Sequence, residues 1–374
     1  MDKLKVGVIG CGGISALKHF PAMAKAKDRI ELVACCDLIE ERAARAVADF
    51  GDKGAKVYVD YRKLLEDKSI DVVHVLTPNV SHCQLTVDSL EAGKHVLCEK
   101  PMAATSADAK KMLDAAKRTG KKLTIGYQNR FRKDVQTMVK ACRAGDLGEI
   151  YFAKAHAVRR KEVPTWGVFP DKSKQGGGPL IDIGTHALDM TLWAMNNYKP
   201  KSVTGSVFQK LKDNPEGNLF GPWDPNSYEV EDSAFGFIKM ENGATIFLEA
   251  SWALNILKTR EGQVTLCGTR AGAELVGEGA AAPTSAVNNT GTVIFNTARY
   301  GELVDIQPRV IGGPGPADFG GDPFRVGDAE IKSWLDAIVN NTEPVVKPEE
   351  AFVVTQILEA IYKSAETGKT VELT

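Results

Sequence analysis

Between residues 4 and 125, short apolar runs rich in β-branched residues alternate with stretches whose apolar positions recur at helical spacing. The runs at 5–9, 30–37, 71–77, 94–99 and 122–126 read as strands, and what lies between them as amphipathic helices. This alternation is the grammar of a parallel sheet covered by helices. Ala109, Met112, Leu113 and Ala116 keep helical spacing between a Thr105/Ser106 start and Gly120, while Gly51 and Gly93 close two further helices. Strands this continuously apolar require burial on both faces. From about residue 126 the pattern changes to a helix near 131–144, then strands with longer loops. The runs 231–240 and 245–253 flank Glu241-Asn242-Gly243-Ala244, and Asn-Gly between alternating runs signals a hairpin. Ile246, Leu248, Ala250 and Trp252 share one face of the second strand. Phe247, with Phe235 and Phe237, gives the other face an apolar character. Two readings of that face stand, sheet-to-sheet contact between copies and coverage by helices. Stretches 272–292 and 312–321 are rich in glycine and proline and read as excursions, either lids or surface loops. Segments 329–340 and 348–368 read as amphipathic helices, with Ile331, Trp334, Leu335 and Ile338 on one face of the first.

A length of 374 residues suggests two domains, taken here as 1–125 and 126–374, with the last helices as candidates for the domain interface. Lys plus Arg number 47 against 48 Asp plus Glu, so the net charge of -1 gives no field to gather nucleic acid. No stretch approaches the ~18 apolar residues of a membrane span, which predicts a soluble, cytoplasmic protein. Seven scattered cysteines without a zinc-like cluster suit reduced thiols and no structural metal.

Directly after the first strand comes Gly10-Cys11-Gly12-Gly13-Ile14-Ser15, opening a helix to about residue 25. Gly10 permits a tight turn and Gly12 a close backbone approach to a pyrophosphate, which amides at the helix start then bind. Serine holds the third glycine place. Asp37 ends the second strand 22 residues after Ser15, where a ribose-binding acid is expected. Its charge would repel a 2'-phosphate, which favours NAD over NADP. Arg42 nearby offsets that in part, and Leu38 joins the same cofactor edge. Capping of the helix before Glu40 and Glu41 is the alternative role for Asp37.

Ligands of an open parallel sheet sit beyond the carboxyl ends of the strands. Three such ends carry polar groups. Thr77-Pro78-Asn79 and His82 follow the fourth and would line the nicotinamide side, with Asn79 as a helix cap in the alternative. Glu99-Lys100-Pro101 follows the fifth and sets an amine beside a rigid proline. Tyr127-Gln128-Asn129-Arg130-Phe131 follows the sixth. In the second half, Gly176-Gly177-Gly178 leads into Asp182-Ile183-Gly184-Thr185-His186. On a helix, Asp182 and His186 stack four residues apart, with roughly 5 to 6 Å between Cβ atoms, so a carboxylate can orient an imidazole. An exposed helical ion pair is the bland alternative.

The glycine loop, Glu99-Lys100-Pro101, Gly126 to Phe131 and Asp182 to His186, in this order, resemble the glucose-fructose oxidoreductase, inositol dehydrogenase and rhizopine-catabolism (Gfo/Idh/MocA) family over nearly the whole chain. The resemblance implies an N-terminal Rossmann NAD-binding domain and a C-terminal α/β domain with a large, mainly antiparallel open sheet that binds substrate and forms a homo-oligomer, a dimer or tetramer. It implies a catalytic group of Lys100, Asp182 and His186 and a cis Lys100–Pro101 bond. It also implies sugar, glycoside or inositol substrates. The expected reaction is reversible oxidation of a secondary ring hydroxyl to a ketone. The cofactor residues are then Gly10, Gly12, Gly13, Ile14, Asp37, Leu38, Arg42, Thr77, Pro78, Asn79, His82, Glu99, Lys100 and Gln128. Lys100, Tyr127, Arg130, His156, Trp166, Asp182 and His186 are the candidate substrate contacts. Free histidine titrates near ~6.5 and lysine near ~10.4, which favours His186 as the base, Asp182 as its orienting carboxylate and Lys100 as the cation. The reversed assignment of the base stays open. A non-catalytic NAD- or sugar-sensing regulator of the same fold is the competing function.

Overall fold

The computed structural model describes residues 3–277, 292–308 and 325–373. The chain divides into two compact units, Met1–Gln128 with Phe324–Thr355, and Asn129–Pro323 with Gln356–Thr374.

In the first unit, β1 (Leu4–Ile9), β2 (Ile30–Cys36), β3 (Lys56–Tyr58), β4 (Val72–Val75), β5 (His95–Cys98) and β6 (Leu123–Ile125) form, among the described residues, one sheet ordered β3-β2-β1-β4-β5-β6. Every pairing is parallel. That order makes a switch point between β1 and β4, where α/β sheets bind ligands. The expected helix stops hold. Thr105 accepts the Asp108 amide at the start of Ser106–Thr119, and Gly120 ends it with φ +66°. The core joins Val6, Val8, Val72 and Leu97 to Phe20 and Met23, and to Ile331, Trp334 and Leu335 from the helix Arg325–Val339. Beside that core lies a buried ionic cluster. Lys18 bridges Glu99 at 2.5 Å and Glu330 at 3.0 Å, and His19 meets the same Glu99 oxygen at 2.8 Å.

In the second unit, β7 (Ile150–Val158), β8 (Pro200–Phe208), β9 (Ser233–Met240), β10 (Thr245–Ser251), β11 (Arg260–Gly268), β12 (Ala271–Val276), β13 (Thr292–Arg299), β14 (Glu302–Ile306) and β15 (Val371–Glu372) form one sheet. Among the described residues its order is β14-β13-β12-β11-β7-β10-β9-β8-β15, with only β7 and β10 parallel. The Asn-Gly hairpin forms between β9 and β10, with Gly243 at φ +88°. Expectation and structure differ at 272–276, which is strand rather than excursion because it pairs with both β11 and β13. Residues 278–291 of that stretch, and all of 312–321, lie outside the described residues.

The two faces of this sheet differ. Ile246, Leu248, Ala250 and Trp252 are at most 2% exposed. This is the face that the 180–195 helical segment packs on, as the approach of Gly184 to the Ala250 Cβ shows. On the same face, a Cβ at Gly205 or Gly236 would strike Ile361 of the helix Pro348–Thr367 at 2.7 or 2.5 Å, so two paired glycines admit that helix. The opposite face carries Phe152, Phe237 and Phe247 in edge contacts of 5.1 to 5.5 Å. Phe247 remains 44% exposed, so coverage by helices does not describe this face among the described residues.

Candidate active site

Gly10 turns with φ +97°, and a Cβ there would lie 2.5 Å from the Leu76 carbonyl oxygen, so glycine is required. Above Gly12 and Gly13, by contrast, nothing lies within 4 Å of an added Cβ. This open cradle at a helix start fits a pyrophosphate. Ser15 is fully buried and its hydroxyl donates to the Gly10 carbonyl at 2.6 Å, so the departure from glycine is satisfied within the turn. The following helix is a widened π-turn over Ser15–His19 and an α-helix over Phe20–Lys25. Asp37 accepts the Cys11 amide at 2.8 Å through one oxygen and the Ile39 amide at 2.9 Å through the other. It therefore fastens the glycine loop. The helix Glu40–Phe50 starts without a side-chain cap, so the capping alternative fails. A carboxylate has about four acceptor sites, so Asp37 retains capacity for ribose hydroxyls. Leu38 and Arg42 are exposed beside it.

At the end of β4, Thr77 shares a 2.7 Å hydrogen bond with the Ser81 hydroxyl, and Pro78 is exposed. Asn79 begins the 3-10 turn Asn79–Ser81 without capping it, so that alternative also fails. His82 differs from expectation. It is fully buried, with one ring nitrogen 2.8 Å from the Pro101 carbonyl oxygen and the other 2.9 Å from that of Thr77. It ties two strand-end segments together. Burial holds the ring below its ordinary pKa, and a neutral imidazole donates to one of these carbonyls at a time. Glu99 also has protein partners. Its carboxylate serves Lys18, His19 and, at 3.1 Å, the Lys100 amide, so it positions the backbone ahead of Lys100.

The Lys100–Pro101 bond is cis. Every residue of 96–103 is buried except half-buried Lys100. Tyr127 is fully buried. Gln128 is half-buried, and its Oε1 has no hydrogen-bond partner among the described residues, as suits a group awaiting a ligand amide or hydroxyl.

The second unit repeats the burial pattern. Every residue of 177–192 is buried except Asp182 and His186, both half-buried. Asp182 sits on the π-turn Leu180–Gly184 and His186 on the α-helix Thr185–Met195. Four residues across a widened turn still return near the same face. Sequence reasoning missed two residues that hold this segment. Trp252, fully buried, donates its indole N–H to Asp182 Oδ2 at 3.0 Å. Glu231 accepts the Gly178 amide at 2.9 Å, the Leu180 amide at 3.2 Å and the Tyr362 hydroxyl at 2.7 Å, so a carboxylate sits where the helical amides begin. The glycines follow from this. A Cβ at Gly177 would overlap Tyr362, and one at Gly178 would lie 2.4 Å from the Glu231 carbonyl oxygen. A tryptophan closing an apolar strand face and an acid just ahead of a β-run were the available signals, and each reads equally as packing or surface.

Three candidate substrate contacts fall in different places. Arg130 is fully buried, with its guanidinium gripping Asp189 at 2.5 to 3.2 Å and lying 5.2 Å from the Trp193 ring centre, so it is an internal ion pair. His156 is hydrogen-bonded to Glu249, its register partner, on the sheet face opposite the Asp182 segment. It cannot share that segment's side of the sheet. Trp166 is half exposed and meets Phe220 and Phe169 edge-on at 4.9 and 6.0 Å. Phe169 in turn meets Trp252 at 6.2 Å.

Among the described residues no group of three or more His, Cys, Asp or Glu could hold a metal ion, and no helix is long and apolar enough to cross a membrane. Comparison with known proteins gives a consistent answer. Residues 4–127 match the model of an oxidoreductase family, NAD-binding Rossmann fold, and residues 139–373 that of its C-terminal alpha/beta domain. The chain is 37% identical over 374 residues to D-glucoside 3-dehydrogenase of Escherichia coli, covering 99% of this chain and 97% of the relative. It is 30% identical over 202 residues to inositol 2-dehydrogenase of Salmonella typhimurium, covering 54% and 57%. The solved levoglucosan dehydrogenase complex with NADH and levoglucosan shares the fold, with TM-score 0.83, 22% identity and 99% of each chain covered. With both domain models matched in order and a relative aligned end to end, the chain belongs to the Gfo/Idh/MocA oxidoreductase family.

Proposed function

We propose that the protein is an NAD-dependent dehydrogenase that oxidises a secondary ring hydroxyl of a sugar, glycoside or cyclitol to the ketone, reversibly. The observation that carries this reading is the burial pattern. In two otherwise closed stretches, the partly open positions are Lys100 in one and Asp182 with His186 in the other. These groups suit proton transfer and charge stabilisation, and the relatives are named for dehydrogenation of a glucoside and an inositol. NAD held at the glycine loop supplies the hydride acceptor. His186 takes the hydroxyl proton as general base, Asp182 orients its ring, and Trp252 fixes the Asp182 carboxylate. Lys100 aligns the hydroxyl and stabilises alkoxide charge as it develops. Asp37 favours NAD, since a 2'-phosphate placed ~4 Å from it meets a repulsion of about 1 kcal/mol in water and about 4 at an effective dielectric of 20. The partly open aromatic sheet face makes a homo-oligomer, and the free thiols of Cys11, Cys35, Cys36, Cys83, Cys98, Cys142 and Cys267 suit the cytosol.

The test is incubation of the purified protein with NAD and a panel of sugars, glycosides and inositols, following absorbance of the reduced cofactor. Turnover with a ring polyol is expected. Tight sugar binding without turnover on any of them would instead identify a sensor.

A further inference from the structure

Trp166 sits on a loop that is held more firmly than its exposure requires. The Asn218 side chain, itself 9% exposed, accepts the Val163 amide at 2.8 Å and donates to the Val163 and Gly221 carbonyls at 3.0 and 2.6 Å. Thr165 donates its hydroxyl to the Phe220 carbonyl at 2.7 Å, and the Leu219 amide donates to that of Lys161 at 3.0 Å. Two loops of the second unit are thus sewn together. Phe220 and Phe169 stand near-perpendicular to the Trp166 ring, at 80° and 76°, and fix its plane while half of it faces out. Scattered exposed aromatics need no explanation, but one immobilised by a hydrogen-bonded latch presents a pre-organised apolar surface at little entropic cost to a ligand.

A chain of ring contacts links this surface to the candidate site. From Trp166 the path runs through Phe169 to Trp252, which holds Asp182. A substrate hydroxyl must come within about 2.6 to 3.2 Å of its base. The reacting ring therefore lies at the Asp182 end, and two ring contacts of 6.2 and 6.0 Å separate Trp252 from Trp166. We infer that Trp166, backed by Phe220, is a subsite for an apolar, planar aglycone, and that the preferred substrates are glycosides carrying one. This rests on the dehydrogenase reading above and narrows its substrate class.

The experiment compares full-length wild type, Trp166→Leu and Phe220→Leu with NAD on methyl and phenyl glucosides, with circular dichroism and sedimentation on each protein. In wild type the phenyl glucoside has the higher kcat/KM. Stacked aromatic pairs are worth roughly 0.5 to 1.5 kcal/mol beyond buried area, so the phenyl-to-methyl ratio of kcat/KM falls up to about tenfold in Trp166→Leu. Phe220→Leu, which removes a support, shifts the ratio the same way by less. An unchanged ratio overturns the subsite, as does a smaller assembly in Trp166→Leu, which would assign the surface to a second copy of the chain. Should wild type oxidise neither glucoside, the dehydrogenase reading fails first, and calorimetric binding of phenyl glucoside then decides. Binding that Trp166→Leu abolishes keeps the subsite, and binding that it leaves intact, or none, removes it.

Discussion

At His186 the question is which side chain is neutral near neutral pH. A neutral lysine would require its pKa to fall by about 3 units, or roughly 4 kcal/mol, whereas an imidazole needs almost no shift. His186→Ala should therefore lower kcat about a hundredfold or more while NAD affinity, read by fluorescence titration, persists. Near-normal turnover would hand the proton to Lys100. Asp37 fastens the Cys11 amide and is proposed to face a ribose as well, so Asp37→Ser should act twice. The ratio of kcat/KM for NADP over NAD should rise about tenfold or more as repulsion is lost, while the KM for NAD itself also rises. Steady-state kinetics with both cofactors checks this, and an unmoved ratio removes Asp37 from the ribose. The sequence shows residue types well and their partners poorly. Arg130 and His156 have the donors a sugar needs, but their partners Asp189 and Glu249 lie 59 and 93 positions away, and nothing local announces them.

Among elements, the strands were legible because period-two and continuous apolar runs survive in any context, and the glycine loop because it must follow a strand. The widened turn at Leu180–Gly184 was not, since a change from i+4 to i+5 hydrogen bonding leaves the apolar pattern almost untouched. Gly184 lets that turn sit close against β10, because a Cβ there would come within 2.9 Å of the Ala250 Cβ. Gly184→Ala should cost about 1 to 3 kcal/mol of stability as the segment is pushed off β10, and should lower kcat more than it raises the KM for NAD. Thermal unfolding together with kinetics tests both. A variant with native Tm and rate would mean the turn is more yielding than close packing allows.

For the whole molecule, no pattern tells which sheet an amphipathic helix will cover, so Arg325–Val339 returning to the first sheet was not readable from its own face. The same unit holds histidines that burial keeps neutral. His19 and His95 are pulled down to about 4, and His74 well below its usual range. Below pH ~6.5 the unfolded chain takes up protons that these folded histidines refuse. Stability should fall as pH drops from about 6.5 towards 4, and be indifferent to them above. Glu330, pushed up to about 7 by burial, acts in the opposite sense over part of that window, as one group against these three and His82, which burial lowers too. Calorimetry should give a lower Tm at pH 5 than at pH 7, and the reverse order would show that the carboxylate dominates. On the second sheet's open face, Phe247→Asp should yield a smaller species than wild type in sedimentation, and identical masses would place the assembly surface elsewhere.

The hydroxyl of Tyr362 on Glu231 has a consequence for how the protein comes into being. A nascent chain leaving the ribosome makes its glycine loop and the strands around it early. The acid that receives the first amides of the Asp182 turn, however, lacks its phenol until residue 362 has been synthesised. A chain that stopped short of residue 362 would lack that support and be slack at the Asp182 turn.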